Sequence, residues 1–203
     1  MQIVLGLTGG PGCGKSAAAE CLADAGLRII DTDVLARIAV SPGRPAADAI
    51  RREFGAEFFN DAGELRRDLL ARVVFSDSAA RQRLNDIVHP EVRAMWTLEA
   101  YQCRSAGKPC AVVIPLLFES ALEKEFTTTV CVGCSASVQT ERLAARGWDD
   151  AMIRKRIESQ LPLDQKCLRA THVIWNDGSL GVLRDQVNAL VGMLQDQGAN
   201  RPA

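Results

Sequence analysis

The chain has 203 residues, of which 47% are hydrophobic and 24% are charged, a balance typical of a soluble globular protein built on one core. Its formal net charge of −1 excludes the broad basic field that draws proteins to nucleic acids or acidic membranes. Any anion-binding site must therefore come from basic groups placed locally.

The N-terminal residues 1–7 lack the basic start of a signal peptide, and their apolar run is too short to span a membrane. The seven cysteines are odd in number and scattered through apolar segments, which favours reduced thiols over a disulfide framework. We therefore expect a cytoplasmic protein with neither a nucleic-acid nor a membrane partner.

Short apolar runs predict five strands, which lie at residues 2–7, 27–30, 111–114, 127–134 and 172–175. Helical stretches separate them, and this alternation is typical of a parallel sheet covered on both faces. The sequence thus predicts an α/β three-layer sandwich. Ligands of such folds bind beyond the carboxyl ends of the strands.

Helical patterns fill the intervals between these strands, and they lie at residues 16–25, 34–40, 46–54, 65–74, 79–87, 91–102, 137–145, 150–160 and 180–194. We expect a break at His89-Pro90, because proline removes a backbone donor. The block 60–108 is almost purely helical and interrupts the alternation. We interpret it as a helical insert in a single domain that covers residues 1–203.

One motif carries strong chemical information. Residues 9–16 read Gly9-Gly10-Pro11-Gly12-Cys13-Gly14-Lys15-Ser16, which matches the P-loop pattern G-x-x-x-x-G-K-[ST]. The glycines let backbone N–H groups turn towards an anion, and the helix that follows directs its positive end there. Lys15 can reach the β- and γ-phosphates, and the Ser16 hydroxyl can ligate Mg²⁺. A strand before the motif and a helix after it predict a P-loop NTPase fold that binds a nucleoside triphosphate.

Two classes of P-loop protein compete at this point. A GTPase switch would carry D-x-x-G after a strand and N-K-x-D for guanine, and neither pattern occurs in the chain. A small-molecule kinase needs a carboxylate near the acceptor hydroxyl and arginines that cover the transferring phosphoryl group. Both requirements have candidates here.

Asp31 and Asp33 are the candidate carboxylates. They follow the second predicted strand, which we expect to lie beside the first and so near the phosphate loop. In extended chain, residues i and i+2 point to the same side. One carboxylate could accept the substrate proton while the other holds a metal-bound water or an adjacent helix. The alternative is a simple capping Asp-x-Asp turn.

Arg142 and Arg146 are the first candidate arginines, spaced i and i+4 on one predicted helix, and Arg154 and Arg156 lie on the next. All four fall between the fourth and fifth strands. We interpret residues 142–165 as a lid, here called the lid segment, because the guanidinium fork suits phosphate oxygens. The alternative is a solvated helix face.

Three further residues support weaker predictions. Cys131 and Cys134 form a single C-x-x-C without the further ligands that zinc needs, so we expect two buried thiols. Cys13 lies at a helix N-terminus beside Lys15, an environment that activates thiols. We therefore expect alkylation to inactivate the protein and ATP to protect it.

The sequence resembles the dephospho-CoA kinase family over almost its whole length. The matching residues are Leu7-Thr8-Gly9-Gly10, Ile30-Asp31-Thr32-Asp33, Pro42-Gly43-Arg44-Pro45-Ala46, Phe54-Gly55, Asp61-Ala62-Gly63-Glu64-Leu65, Val74-Phe75, Leu84-Asn85-Asp86-Ile87-Val88-His89-Pro90, Pro115-Leu116-Leu117-Phe118-Glu119, Arg156, Gln160, Val173-Ile174, Asn176 and Gly178. The phosphate loop alone is widespread. The ordered set of Asp-x-Asp, His-Pro and Pro-Leu-Leu-Phe-Glu is far more specific.

The resemblance implies ATP-dependent phosphorylation of the ribose 3′-hydroxyl of dephospho-CoA, with Mg²⁺ as cofactor. It implies that Asp33 is the general base, that Arg142 or Arg146 is the lid arginine and that Asn176 lies near the adenine of ATP. It also implies that the insert binds the CoA moiety. The substrate-contact candidates are Asp31, Asp33, His89, Arg93 and Glu119. From the residues alone, Glu119 either pairs with a basic group or begins a helix.

The chain departs from the family pattern in the phosphate loop and the helix after it. Cys13 stands where the family usually has a small hydroxyl residue, and Ala17 stands where it has threonine. The strand before Pro115 ends without an aspartate, so Mg²⁺ would rely on Ser16, waters and one of the Asp31 and Asp33 carboxylates. The alternatives to this family are another P-loop kinase for a nucleoside or small alcohol, and a nucleotide-binding switch.

Overall fold

The computed structural model describes residues 3–199, and Gln2 of the first predicted strand lies outside them. Within that range the chain forms an α/β fold whose parallel sheet has the strand order β2-β3-β1-β4-β5. The strands are β1 Val4–Gly9, β2 Arg28–Asp31, β3 Cys110–Val113, β4 Thr128–Gly133 and β5 His172–Trp175. The predicted fold class is therefore confirmed.

The helices are α1 Lys15–Asp24, α2 Thr32–Ala39, α3 Pro45–Phe54, α4 Arg67–Ser76, α5 Ser78–Ser105, α6 Ala136–Ala144, α7 Asp150–Glu158, α8 Leu163–Arg169 and α9 Leu180–Ala199. Short 3₁₀ turns lie at Ala56–Phe58 and Glu123–Glu125. No helix among the described residues is long and apolar enough to cross a membrane.

The centre of the sheet is β1, which lies between β3 and β4. Leu5, for example, is in register with Ala111 on one side and Thr128 on the other. All six residues of β1 are buried, and fully burying a leucine stabilises a fold by about 1.5–3 kcal/mol. Side chains of α1 and α9 complete this core. The phosphate loop thus begins from the central, fully buried strand of the sheet.

The strand order corrects one prediction. We expected the second strand to lie beside the first, but β3 lies between β2 and β1. The chain returns to the sheet after four helices and inserts its next strand, β3, between β2 and β1. Local apolar patterns identify strands but not their neighbours, so the assumed adjacency was wrong.

Helix α5 corrects a second prediction, because it runs without a break from Ser78 to Ser105 with Pro90 inside it. Val92 and Trp96 are buried on this helix, and Val88 packs against an apolar cluster. These side chains recur at intervals of four residues on one face. Their burial offsets the backbone hydrogen bond that the proline removes.

Two further helix predictions were wrong. Arg146 lies beyond the end of α6 at Ala144, so it does not share a helix with Arg142. Helix α8, Leu163–Arg169, was not predicted at all. Its sequence is short and mostly polar, and it lacks the apolar periodicity that identifies a surface helix.

The described chain divides into two compact units. Residues 31–99 form the helical unit, and the remaining described residues form the sheet unit. The helical unit has its own core of Val40, Ala47, Ile50, Phe59 and Leu70. It begins where β2 ends, whereas the predicted insert began at residue 60 and ended at 108.

Candidate active site

The phosphate loop, Gly9–Ser16, connects β1 to α1 in the sheet unit. Gly14 precedes α1 with φ at 95°, a left-handed conformation that side chains disfavour. A Cβ at Gly14 would lie 2.1 Å from Nδ2 of Asn176. Glycine is therefore required at this position for both conformation and space.

Lys15 is tied to the backbone of the same loop. Its Nζ donates hydrogen bonds to the carbonyl oxygens of Gly9 at 3.0 Å and Gly10 at 2.9 Å. The side chain is half-buried, while Ser16 in the first turn of α1 is exposed. An ammonium, a hydroxyl and the N-terminus of α1 are thus gathered at one loop, an arrangement suited to a polyphosphate.

Two buried amides hold the loop from outside. Gln139 on α6 donates from Nε2 to the Pro11 carbonyl at 2.7 Å, and Asn176 after β5 donates from Nδ2 to the Cys13 carbonyl at 2.9 Å. The family resemblance implies that Asn176 lies near adenine, which stays a prediction, and Gln139 was not predicted. A lone glutamine on a surface-like helix gives no signal in the sequence, because its partner is 128 residues away.

The thiol of Cys13 is fully buried under the loop. Its Sγ lies 3.5 Å from Sγ of Cys134 and 3.7 Å from Nε2 of Gln139. The predicted alkylation of Cys13, with protection by ATP, therefore requires the phosphate loop to open and stays a prediction. Helix N-termini activate cysteines only when solvent and reagent reach the sulfur.

The C-x-x-C at the end of β4 consists of two buried thiols, as predicted. Cys131 and Cys134 are both buried, and burial raises the pKa of Cys134 to about 12 and also raises the pKa of Cys131. Among residues 3–199, no group of three or more His, Cys, Asp or Glu side chains could hold a metal ion. These cysteines are unpaired thiols of the core.

Arg142 lies beside the phosphate loop, and Arg146 does not share its environment. The Nη1 of Arg142 is buried without a hydrogen-bond partner. It lies 3.8 Å from the position that a Cβ on Gly14 would occupy. Arg146 is exposed. An unsatisfied buried donor costs about 1–3 kcal/mol, so Arg142 keeps an unmet capacity to bind an acceptor at this loop.

Asp177 fixes the start of α6, on which Arg142 and Gln139 lie. Its Oδ1 accepts the backbone N–H of Ser135 at 2.7 Å, and its Oδ2 accepts Nε1–H of Trp175 at 3.0 Å. The Ser135 N–H is the main group that lowers the pKa of Asp177. Residues after β5 therefore position both the loop and α6.

Asp31 and Asp33 lie at the start of the helical unit, and their geometry differs from the extended pair that we expected. Asp31 is the N-cap of α2, and its Oδ1 accepts the backbone N–H of Asp33 at 2.8 Å. The capping alternative is thus correct for Asp31. Asp33 lies in the first helical turn with an exposed side chain.

The remaining substrate candidates fall in different places. His89 and Arg93 are one turn apart on α5, and both are exposed. Glu119 follows β3 in the sheet unit, where its Oε1 lies 2.9 Å from Nζ of Lys166. Of the two alternatives for Glu119, pairing with a basic group is the one observed. Lys166 was missed, because nothing in its local sequence marks it as buried.

Comparison with known proteins agrees with this geometry. A sequence model of the family described as dephospho-CoA kinase matches residues 3–181. A dephospho-CoA kinase of Syntrophotalea carbinolica is 42% identical over 195 residues, which cover 95% of this chain and 92% of that protein. The crystal structure of TT1252 from Thermus thermophilus has a TM-score of 0.80 at 34% identity, covering 95% of this chain and 98% of the other. A dephospho-CoA kinase from Campylobacter jejuni has a TM-score of 0.75 at 21% identity, covers 98% and 100% of the two chains and supports the fold alone.

Proposed function

The chain belongs to the dephospho-CoA kinase family, and on that premise we propose that it transfers the γ-phosphoryl group of ATP to the ribose 3′-hydroxyl of dephospho-CoA. The products are coenzyme A and ADP. The single observation that carries the proposal is the phosphate loop, held by Gln139 and Asn176 in a chain that matches the family over residues 3–181.

The phosphate loop and its neighbours bind the triphosphate. Backbone N–H groups of the loop and the N-terminus of α1 surround the phosphates, and Lys15 exchanges its carbonyl partners for β- and γ-phosphate oxygens. Arg142 supplies the lid arginine, and its unpartnered Nη1 supports that role over Arg146. Asn176, whose amide nitrogen binds the loop, would lie near the adenine of ATP, as the family resemblance implies.

Magnesium fits the donor groups of this site. Mg²⁺ prefers oxygen ligands and is usually bound through one or two protein groups together with substrate phosphates. The exposed Ser16 hydroxyl in the first turn of α1 is such a group, and no denser ligand cluster occurs among residues 3–199. When bound, the ion neutralises charge on the β- and γ-phosphates.

Asp33 is the general base for the acceptor hydroxyl. A ribose hydroxyl is a poor nucleophile at neutral pH, so a carboxylate that accepts its proton speeds the transfer. Asp31 orients the first turn of α2 by capping it.

The helical block 60–108 binds the CoA moiety, with contacts from His89 and Arg93. The lid segment covers the transferring phosphoryl group.

The cellular compartment follows from thiol chemistry. All seven cysteines are unpaired in the structure, and unpaired buried thiols are typical of proteins from reducing compartments. We infer a cytoplasmic protein from this usage.

One incubation tests the function. Purified protein is mixed with ATP, Mg²⁺ and dephospho-CoA, and the products are separated and identified by mass. We expect coenzyme A and ADP in equal amounts, and none with a Lys15→Met variant as control. Turnover with a nucleoside but not with dephospho-CoA would select another P-loop kinase. ATP binding without any acceptor-dependent turnover would select a nucleotide-binding switch.

A further inference from the structure

Lys166 on α8 is a charged side chain with no solvent exposure. Its Nζ lies 2.8 Å from the Pro115 carbonyl oxygen, 2.9 Å from Glu119 Oε1 and 3.0 Å from Gln160 Oε1. Three acceptors match the three N–H donors of an ammonium group. Such complete pairing is what makes a buried charge tolerable.

This ammonium joins two separate segments of the sheet unit. Pro115 and Glu119 follow β3, whereas Gln160 lies in the connection between α7 and α8. Glu119 strengthens the link, because its Oε1 also accepts the backbone N–H of Leu161 at 2.8 Å. The end of the lid segment is thus bound to the chain that follows β3 through one lysine and one carboxylate.

The same network reaches the strand that leads into the phosphate loop. The Pro115 carbonyl accepts a second hydrogen bond from Oγ1 of Thr8 at 3.2 Å, and Thr8 is fully buried in β1. Gly9, the first residue of the phosphate loop, follows directly. Lys166 and Thr8 therefore share one acceptor at the carboxyl ends of β1 and β3, the ends at which parallel sheets bind ligands.

Stability alone does not account for an ammonium at this position. Replacing a buried ion pair by apolar groups of similar volume often leaves stability unchanged or raises it. An apolar side chain could fill the space, but it could not fix two segments through three directed hydrogen bonds.

We propose that Lys166 is a positioning residue for phosphoryl transfer, which holds the base of the lid segment against the carboxyl end of β3. The inference rests on the proposed function and deepens it. It also reassigns Glu119, which serves this network and not the substrate.

The test uses Lys166→Met, which keeps the length of the side chain and removes the ammonium. We expect kcat with dephospho-CoA to fall about tenfold or more, as for other supporting residues of a catalytic site. The Kd for ATP, measured by titration without acceptor, should change less than about threefold. The loop carbonyls bound by Gln139, Asn176 and Lys15 do not involve Lys166.

Arg169→Met is the matched control. Arg169 lies on the same helix and pairs with Glu123, also after β3, but both side chains are partly exposed. Partly exposed ion pairs contribute about 0–1 kcal/mol, so kcat should stay near that of the wild type. Thermal midpoints of all variants show how much of any loss comes from unfolding.

Three outcomes would overturn the proposal. One is a Lys166→Met variant with unchanged kcat. Another is that kcat and ATP affinity fall in proportion to the fall in Tm, and do so to the same extent in Lys166→Met and in Arg169→Met. If Lys166→Met does not fold, Gln160→Met replaces it in the test. It removes one of the three acceptors, so kcat should fall about threefold. The third contradicting outcome is an unchanged kcat in this variant. Failure of the proposed function would appear separately, as wild-type protein that makes no coenzyme A.

Discussion

The sheet unit and the helical unit carry their candidate residues in opposite ways. In the sheet unit, the phosphate loop is fixed by buried groups from distant parts of the chain, such as Gln139 and Asn176. In the helical unit, Asp33, His89 and Arg93 are exposed on helices. Under the proposed function, ATP binding would depend on a preorganised backbone, and the acceptor step would depend on individual side chains.

This difference predicts how substitutions should act. A change at a group that holds the phosphate loop in the sheet unit should alter backbone geometry, and so stability and ATP binding together. A change in the helical unit should leave folding and ATP binding intact and affect only the acceptor step.

The largest expected effect lies in the helical unit. Asp33→Asn removes the proposed base, and kcat should fall by about 10²–10⁴-fold, the usual contribution of a general base, while ATP still binds. Asp31→Asn is the matched control, because its side-chain oxygen can still cap α2. Steady-state kinetics of the two variants check the prediction. A near-wild-type rate for Asp33→Asn would mean that Asp33 is not the base.

The next effect lies in the phosphate loop. Gly14→Ala and Gly26→Ala share a left-handed backbone, with φ at 95° and 92°. A Cβ meets Asn176 at 2.1 Å in the first case and nothing within 4 Å in the second. Both variants carry the conformational cost of about 1 kcal/mol, but Gly14→Ala should lose about 2–3 kcal/mol more through overpacking. Chemical unfolding and ATP titration measure this difference, and equal losses would refute the role of Asn176.

Arg142 offers a test in which stability and activity move apart. Arg142→Met removes a buried donor that has no partner, so Tm should stay level or rise. Its kcat should fall about tenfold or more, because the transferring phosphoryl group loses an arginine. Arg146→Met, at an exposed position, should change neither quantity. A lower kcat for Arg146→Met than for Arg142→Met would mean that Arg146, and not Arg142, is the lid arginine.

The smallest effect concerns contacts to the CoA moiety. His89→Ala and Arg93→Ala should each raise the KM for dephospho-CoA about three- to tenfold with little change in kcat. A contact that is equally strong in the ground state and the transition state affects substrate binding and not the chemical step. Arg81→Ala, another exposed change on α5, serves as control. A parallel loss of kcat would place these residues in the chemical step.

The sequence predicted what depends on short-range patterns. The P-loop motif and the five strands are local signals, and the structure contains both. The strand order, the continuous α5 and the short α8 were not predicted, because long-range packing decides them.

The candidate site divides in the same way. Lys15 and Ser16 belong to a motif, and a motif can be read directly. Gln139 and Lys166 have functions only through partners that are remote in sequence, such as Pro11 and Pro115. In the sequence, an amide or an ammonium on a polar helix cannot be distinguished from a surface residue. Only the folded structure shows that it is buried against its partners.

Burial of Cys13 makes the thiol a natural reporter of loop opening. A sulfur with no solvent exposure, in contact with Cys134, can react with a small reagent only while the phosphate loop is locally open. Its labelling rate therefore measures how often that opening occurs, as amide hydrogen exchange does for a backbone group. ATP should slow the labelling by holding the loop closed, and the slowing at a series of ATP concentrations would give the binding constant without any enzymatic assay.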